Sequence, residues 1–415
     1  MIRSQVSRCV RRVAAGVRCS RRSYISIEDI LLGEDMDDYK QISLKVGELP
    51  EAKLIKGRFI CPWSLKIKLK SRPLNFFNWA FFRKQTQLNF PEHMVPGSSL
   101  DEVLAKVPVD EEAIDRTDRM HMTWLGHSTC YFQSGGLYFM TDPVFSMRCS
   151  PVPFAGPKRI QAPLFNIGQL KKLDVVLLSH THYDHLDYDT AIRIRDHCGP
   201  HVKWIVPLGV SKILARWGIT NVVELNWWEK HKIVDESKGV DVDVVFTPTK
   251  HWTGRSIFDR NKCLWGSFVV SSAQGRFFFG GDSSYCSVFK TIGDLYGPFD
   301  LAALAIGAYK PRWFMKHVHC DPSEAVKQHG DLRAKQSVGI HWGTFPLADE
   351  ADIEPALDLA KHREQQALGA RDFFTMGLGD TFLVGDEAPS NDVASLRPDL
   401  FHHYRDHYVE DQLPE

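Results

Sequence analysis

The chain has 415 residues, enough for one large α/β domain with extensions, and its 51 Lys+Arg balance its 51 Asp+Glu. A formal net charge of zero argues against a protein built mainly to hold nucleic acid, since no basic excess is available to neutralise phosphates. The nine Cys are scattered without a C-x-x-C pair, which argues against a disulfide framework and a Cys-ligated zinc module, and no run of 18 apolar residues marks a transmembrane helix.

Residues 1–27 carry seven Arg and no acidic residue before Glu28. Ile2, Val6, Val10, Val13 and Val17 share one helical face, so the segment reads as a mitochondrial presequence; the alternative is a basic tail. Residues 28–118 form an amino-terminal arm. Within it, Arg58 to Lys84 interleaves Phe59, Trp63, Phe76, Phe77, Trp79, Phe81 and Phe82 with Lys66, Lys68, Lys70, Arg72 and Arg83. Rings beside cations suit a lipid interface, and equally suit an arm whose rings pack on the main domain.

Residues 119–385 have a regular texture. Met122–Leu125, Tyr131–Phe132 and Leu137–Met140 read as strands, with a turn at Gly135–Gly136. Val175 to Leu178 is a continuous apolar run, the mark of a buried strand, and His180, His182, Asp184 and His185 follow it directly. Alternation puts His180 and His182 on one side, toward one ion, while Asp184 and His185 reach a second; zinc takes imidazole nitrogen and carboxylate oxygen in this way. Further strands are expected at Val202–Pro207, Asn221–Leu225, Asp243–Phe246, Ser267–Ser271, Arg276–Phe279, Leu301–Ile306, Ser337–Ile340 and Asp372–Met376. Helices are expected at Ser211–Trp217, from Pro322 and over Ile353–Leu368, and residues 386–415 read as a polar, loosely held tail. Four strands thus end near His180, His251, Asp282 and His341, and ligands from several strand ends converging on one rim build a sheet-based active site.

At these residues the sequence resembles a known family. H-T-H-Y-D-H-L-D at 180–187 is similar to the metallo-β-lactamase signature, which implies an α/β fold: an αββα sandwich of two mixed β-sheets flanked by helices. W-L-G-H-S-T at 124–129, T-D-P-V-F-S at 141–146, G-P-K-R at 156–159, G-A-Y-K-P-R-W-F-M-K at 307–316 and I-H-W-G-T-F at 340–345 resemble the N-acylphosphatidylethanolamine-hydrolysing phospholipase D branch. The resemblance spans about residues 55 to 380 and departs at Ser284, where a glycine is expected. It implies two Zn2+ per chain, His180, His182 and His251 holding one, Asp184, His185 and His341 the other, and Asp282 bridging. It further implies a phosphodiesterase in which metal-bound hydroxide attacks phosphorus, leaving N-acylethanolamine and phosphatidic acid. His319 is expected to contact the phosphodiester or protonate the leaving group, and Tyr183 to contact substrate or pack the metal loop. His127 is expected to be structural or to support a ligand, and His317 to lie on the surface. A phospholipid substrate, a membrane surface and a possible homodimer are the implied partners; the expected mitochondrial, peripheral membrane location rests on the presequence-like residues 1–27. The alternatives are a lactonase acting on a soluble sugar phosphate and a non-catalytic lipid-binding protein that retains the metal site.

Overall fold

The computed structural model describes residues 49–63, 87–91, 93–94, 104, 106–108, 110–164, 167–256, 258–387 and 392–408. The presequence-like segment lies outside the described residues, as does most of the aromatic arm. All described residues belong to one unit, Gln41–Glu415.

The strands are β1 Lys53–Ile55, β2 Arg58–Ile60, β3 His121–Trp124, β4 Cys130–Ser134, β5 Leu137–Thr141, β6 Val175–Leu177, β7 Lys203–Pro207, β8 Val222–Leu225, β9 Lys230–Asp235, β10 Val240–Thr247, β11 Ser267–Ser272, β12 Gly275–Phe279, β13 Leu301–Ala305, β14 Ser337–Ile340, β15 Phe373–Phe374 and β16 Thr381–Leu383. The α-helices are α1 Glu111–Asp115, α2 Tyr188–Cys198, α3 Ser211–Arg216, α4 Val288–Tyr296, α5 Arg312–Met315, α6 Pro322–Leu332, α7 Glu354–Gln365, α8 Val393–Leu396 and α9 Pro398–His407. β1 and β2 form a small hairpin. The other strands form two seven-stranded sheets, ordered β16-β3-β4-β5-β6-β7-β8 and β15-β14-β13-β12-β11-β10-β9. Each is mixed: β5 to β8 run parallel in one and β12 to β15 in the other, and the remaining pairs are antiparallel.

Period-two alternation sorts the side chains of the first sheet into two cores. Cys130 and Phe132, Phe139, Val175 and Leu177, and Ile205 join the large core that includes the second sheet. Their neighbours Tyr131, Tyr138 and Met140, Val176 and Leu178, and Trp204 and Val206 join a separate core with Ala191 and Ile194 of α2 and Leu214 of α3. Both faces of these strands are therefore apolar, which is why β6 reads as a continuous run. Phe132 is sandwiched across the sheets, 4.8 Å from Phe139 and 4.2 Å from Phe277 between ring centroids. Val288 and Ile292 of α4, Ala325 and Leu332 of α6 and Leu357 of α7 pack into the large core with the second sheet. The result is helix, sheet, sheet, helix, the sandwich expected.

The structure departs from the sequence reading in several elements. α2, α4, β9 and β16 have no counterpart among the expected elements. The carboxy-terminal region is not loosely held over residues 393–407: α8 and α9 are helical, and Leu400, Phe401 and Tyr404 are buried in the large core. A mostly polar composition hid the apolar face that these three make at positions i, i+1 and i+4. Of the aromatic arm, residues 58–63 are described. There Phe59 is buried and donates its backbone N–H to Asn261 O (2.7 Å), and Trp63 packs partly against the large core. This piece of the arm packs on the domain.

Candidate metal centre

The functional side chains sit where strands of both sheets end on one rim. β3 leads through Gly126 to His127, β5 to Asp142, β6 to the loop 179–187, β10 to His251, β12 to Asp282 and β14 to His341. His127 (φ 54°), Asp142 (φ 34°) and His341 (φ 62°) adopt left-handed backbone conformations, which non-glycine residues hold only when their surroundings over-determine them. The surroundings do so. His341 donates its backbone N–H to His127 O (2.9 Å), Trp124 Nε1–H donates to the same carbonyl (2.9 Å), and His127 donates its own N–H to Thr344 Oγ1 (2.6 Å). Trp124 stacks on Trp342 at 5.4 Å between ring centroids, joining the two sheets at the site.

Two donor groups result. In the first, His182 Nδ1 lies 2.8 Å from His180 Nε2 and 3.3 Å from His251 Nε2, and Asp282 Oδ2 lies 3.7 and 3.6 Å from those two Nε2 atoms. In the second, Asp184 Oδ2 lies 3.4 Å from both His185 Nε2 and His341 Nε2. Asp282 reaches this group as well, Oδ2 to His185 Nε2 and Oδ1 to His341 Nε2 both at 3.2 Å. His185 Nε2, His341 Nε2 and Asp282 Oδ1 are buried and make no hydrogen bonds despite that proximity. Ligand atoms about 2.0–2.2 Å from one ion in a tetrahedral site lie a little over 3 Å apart, so the spacing fits metal coordination.

The groups behind the donors fix their tautomers. Asp142 Oδ1 accepts the Ser179 N–H (2.7 Å), and its Oδ2 accepts the Ser179 hydroxyl (2.5 Å) and His185 Nδ1–H (2.6 Å). Ser179 Oγ in turn accepts His180 Nδ1–H (2.9 Å), and Val318 O accepts His251 Nδ1–H (2.9 Å). In all three imidazoles Nε2 is therefore the free lone pair, aimed inward. His127 is fully buried and donates Nε2–H to Asp184 Oδ2 (3.1 Å), orienting that carboxylate. Asp142 and Ser179 were not read from the sequence as site residues. The available signal was an Asp closing the hairpin at the same rim.

Electrostatics separates the imidazoles. Burial pushes His127 and His182 down to about 3 and His251 to about 4, so these imidazoles are neutral, His182 and His251 as nitrogen donors and His127 as the partner of Asp184. Burial opposes charge on His185 and His341 too, but the carboxylates of Asp282 and Asp184 outweigh it, taking His341 up to about 9 and His185 well above its usual range. Burial likewise raises Asp184 and Asp282, yet His185 and its neighbours hold both well below the usual carboxylate range. Carboxylates that favour a proton on His185 and His341 equally favour a cation held between them. The donor chemistry and the geometry agree on a metal site.

The other expected residues are placed as follows. His319 faces the same centre, with Nδ1 buried, lacking a hydrogen-bond partner and 3.9 Å from Asp282 Oδ2. Tyr183 borders the loop at half-burial, its ring covered by the Arg255 guanidinium at 3.9 Å. His317 is half-buried rather than on the surface, and burial beside Lys250 takes it down to about 4.

Comparison with known proteins places this arrangement. The Beta-lactamase superfamily domain matches residues 138–342. N-acyl-phosphatidylethanolamine-hydrolyzing phospholipase D 1 of Caenorhabditis elegans is 37% identical over 338 residues, 77% of this chain and 93% of that protein. The mitochondrial N-acyl-phosphatidylethanolamine-hydrolyzing phospholipase D of Saccharomyces cerevisiae is 36% identical over 259 residues, 62% of this chain and 54% of that protein. Among solved structures, isothiocyanate hydrolase from Delia radicum gut bacteria matches with a TM-score of 0.50 at 16% identity, covering 64% of this chain and 99% of that one, a likeness of fold. Fold and donor set together define a metal-dependent hydrolase with the metallo-β-lactamase architecture. Within that class the chain belongs to the N-acyl-phosphatidylethanolamine-hydrolysing phospholipase D family.

Proposed function

We propose that the two donor groups hold two zinc ions, His180, His182 and His251 on one and Asp184, His185 and His341 on the other, with Asp282 bridging them. The protein then acts as a phosphodiesterase that cleaves N-acylphosphatidylethanolamine into N-acylethanolamine and phosphatidic acid. The observation that carries this reading is Asp282, whose two oxygens lie within 3.7 Å of imidazole nitrogens from both groups. Two like ions repel, and a shared carboxylate offsets that repulsion. Bound zinc supplies Lewis acidity that activates water near neutral pH and neutralises charge growing on phosphoryl oxygens.

The protein's own groups supply the rest. His319, whose Nδ1 lies 3.9 Å from Asp282 Oδ2, contacts the phosphodiester or protonates the leaving ethanolamine oxygen. Asp142, Ser179, Val318 and His127 keep the donors oriented, so no reorganisation is needed as charge develops. Tyr183, stiffened by Arg255, contacts the substrate at the rim. Phe154 (80% exposed) and Met147 (43%) on the loop after β5, and Phe258 (72%) on the loop after β10, extend beyond the same strand ends, which supports docking on a lipid surface. No helix among the described residues is long and apolar enough to cross a membrane. The name of the yeast relative and the Arg-rich residues 1–27 support a mitochondrial location.

The test combines metal analysis with product analysis. Purified protein is assayed in mixed micelles on N-acylphosphatidylethanolamine, phosphatidylcholine and a sugar-phosphate lactone. Two zinc per chain and chelator-sensitive release of N-acylethanolamine are expected. Opening of the lactone with the lipid intact would replace the substrate assignment.

A further inference from the structure

His319 is reached from β13 through residues 306–318, and this connection rests on buried carboxylates that α7 and α9 share. Glu350, just before α7, accepts the backbone N–H groups of Ala308 (2.6 Å) and Lys310 (3.0 Å). Lys310 Nζ donates to Glu354 Oε1 (2.6 Å) and to the Tyr408 hydroxyl (2.9 Å). Asp358 accepts the Tyr309 hydroxyl on Oδ2 (2.5 Å) and the Tyr404 hydroxyl on Oδ1 (2.6 Å). Glu350, Glu354 and Asp358 are all buried and lie four residues apart, a spacing that aligns Glu354 and Asp358 on one face of α7. At the start of α5, Arg312 donates to the His319 carbonyl (3.1 Å) and pairs with Asp321 (3.1 Å) and Glu324 (2.9 Å), the capping-box residues of α6. The His319 connection is thus pinned at both ends, and Tyr404 of α9 and Tyr408 just after it supply two of the pins.

Buried ionic groups are costly unless every partner is present, so they set geometry rather than add much stability. Tyr404 and Tyr408 stack at 4.5 Å between ring centroids, and the Tyr408 ring also faces the Lys310 ammonium at 5.0 Å. Removing either hydroxyl leaves the rings packed while Asp358 or Lys310 loses a bond. The connection then gains freedom near Tyr309 and Lys310, ten and nine residues before His319. We propose that Tyr404 and Tyr408 are positioning residues for catalysis, through which the carboxy-terminal helix holds His319 in register with the metal centre. This rests on the reading of His319 as the group that contacts the phosphodiester.

The test uses the full-length holoenzyme with Tyr404→Phe, Tyr408→Phe and both together, each also placed on a His319→Ala background. Metal content, kcat, KM on N-acylphosphatidylethanolamine and amide hydrogen exchange over residues 308–319 are measured. The double Phe variant is expected to lose about ten-fold in kcat, the scale of one hydrogen bond to a charged group, with KM and metal content unchanged. Its 308–319 amides should exchange faster while those of β13 and β14 do not change, and on the His319→Ala background the tyrosine changes should cost nothing further. Unchanged exchange over 308–319, or the same fold-loss with and without His319, would overturn the proposal. Should His319→Ala alone retain full turnover, the reading of His319 fails, and the exchange data still decide whether the tyrosines hold the connection. Each single Phe variant repeats the test with one hydroxyl intact.

Discussion

Asp282 is surrounded by imidazole nitrogens of His180, His185, His251 and His341 at 3.2 to 3.7 Å, and in the proposed two-ion site its charge offsets the repulsion between the cations. Asp282→Asn keeps the shape and removes that charge. The expected outcome is loss of about one metal ion per chain and a fall in kcat on the order of a thousand-fold. Full activity with two ions bound would refute the bridging role. His319→Ala is expected to separate the two functions, keeping both metals while kcat falls on the order of a hundred-fold or more. Loss of metal in that variant would make His319 a ligand instead. Protonation gives a third check. In the metal-free protein His341, at about 9, and His185, also raised well above its usual range, hold protons at neutral pH. A metal must displace them, so uptake releases protons, and affinity weakens as the pH falls. Titration of zinc into weakly buffered, metal-free protein at pH 7 reads this directly; uptake without acidification would contradict it.

At the scale of elements, the strands that carry donors were legible because each is a short apolar run that turns abruptly polar. Val175–Leu177 followed by His180, and Ser337–Ile340 followed by His341, are the plainest cases. What was hidden is equally physical. β9 reads K-H-K-I-V-D, an edge strand whose charges discourage further pairing and erase the apolar alternation. α2 buries only Thr190, Ala191 and Ile194, too sparse a stripe to announce a helix. The orienting shell was out of reach for another reason: Asp142 and Ser179 are 37 residues apart and meet only because β5 and β6 are parallel neighbours. Turn geometry at the strand ends yields a further prediction. Gly281, beside Asp282, has φ 54°, and a Cβ there would lie 2.8 Å from Ser179 Cβ and 3.0 Å from Gly266 O. Gly281→Ala is expected to destabilise the fold by about 1–3 kcal/mol and to lower metal content by shifting Asp282. A thermal melt with metal analysis checks both, and unchanged metal content would show that Asp282 tolerates the shift.

For the molecule as a whole, two sheets meet face to face and deliver donors from both to one rim, so the metal centre ties the halves together. Metal removal should therefore lower the melting temperature, since each ion at a thousand times its Kd stabilises the fold by about 4 kcal/mol. A melt insensitive to chelator would argue against a resident metal. The sandwich followed from what the family motifs imply, while the strand pattern gave the strands and the rim where their ends meet. The carboxy-terminal helix did not, since its apolar face is only Leu400, Phe401 and Tyr404 within a polar segment.

The reaction itself is tested most directly by hydrolysis of N-acylphosphatidylethanolamine in water enriched in oxygen-18, with both products analysed by mass spectrometry. Attack on phosphorus assisted by the metal centre predicts the heavy oxygen in phosphatidic acid, none in N-acylethanolamine, and no product of either kind after chelation. Label in the N-acylethanolamine, or cleavage that survives removal of the metals, would contradict the account.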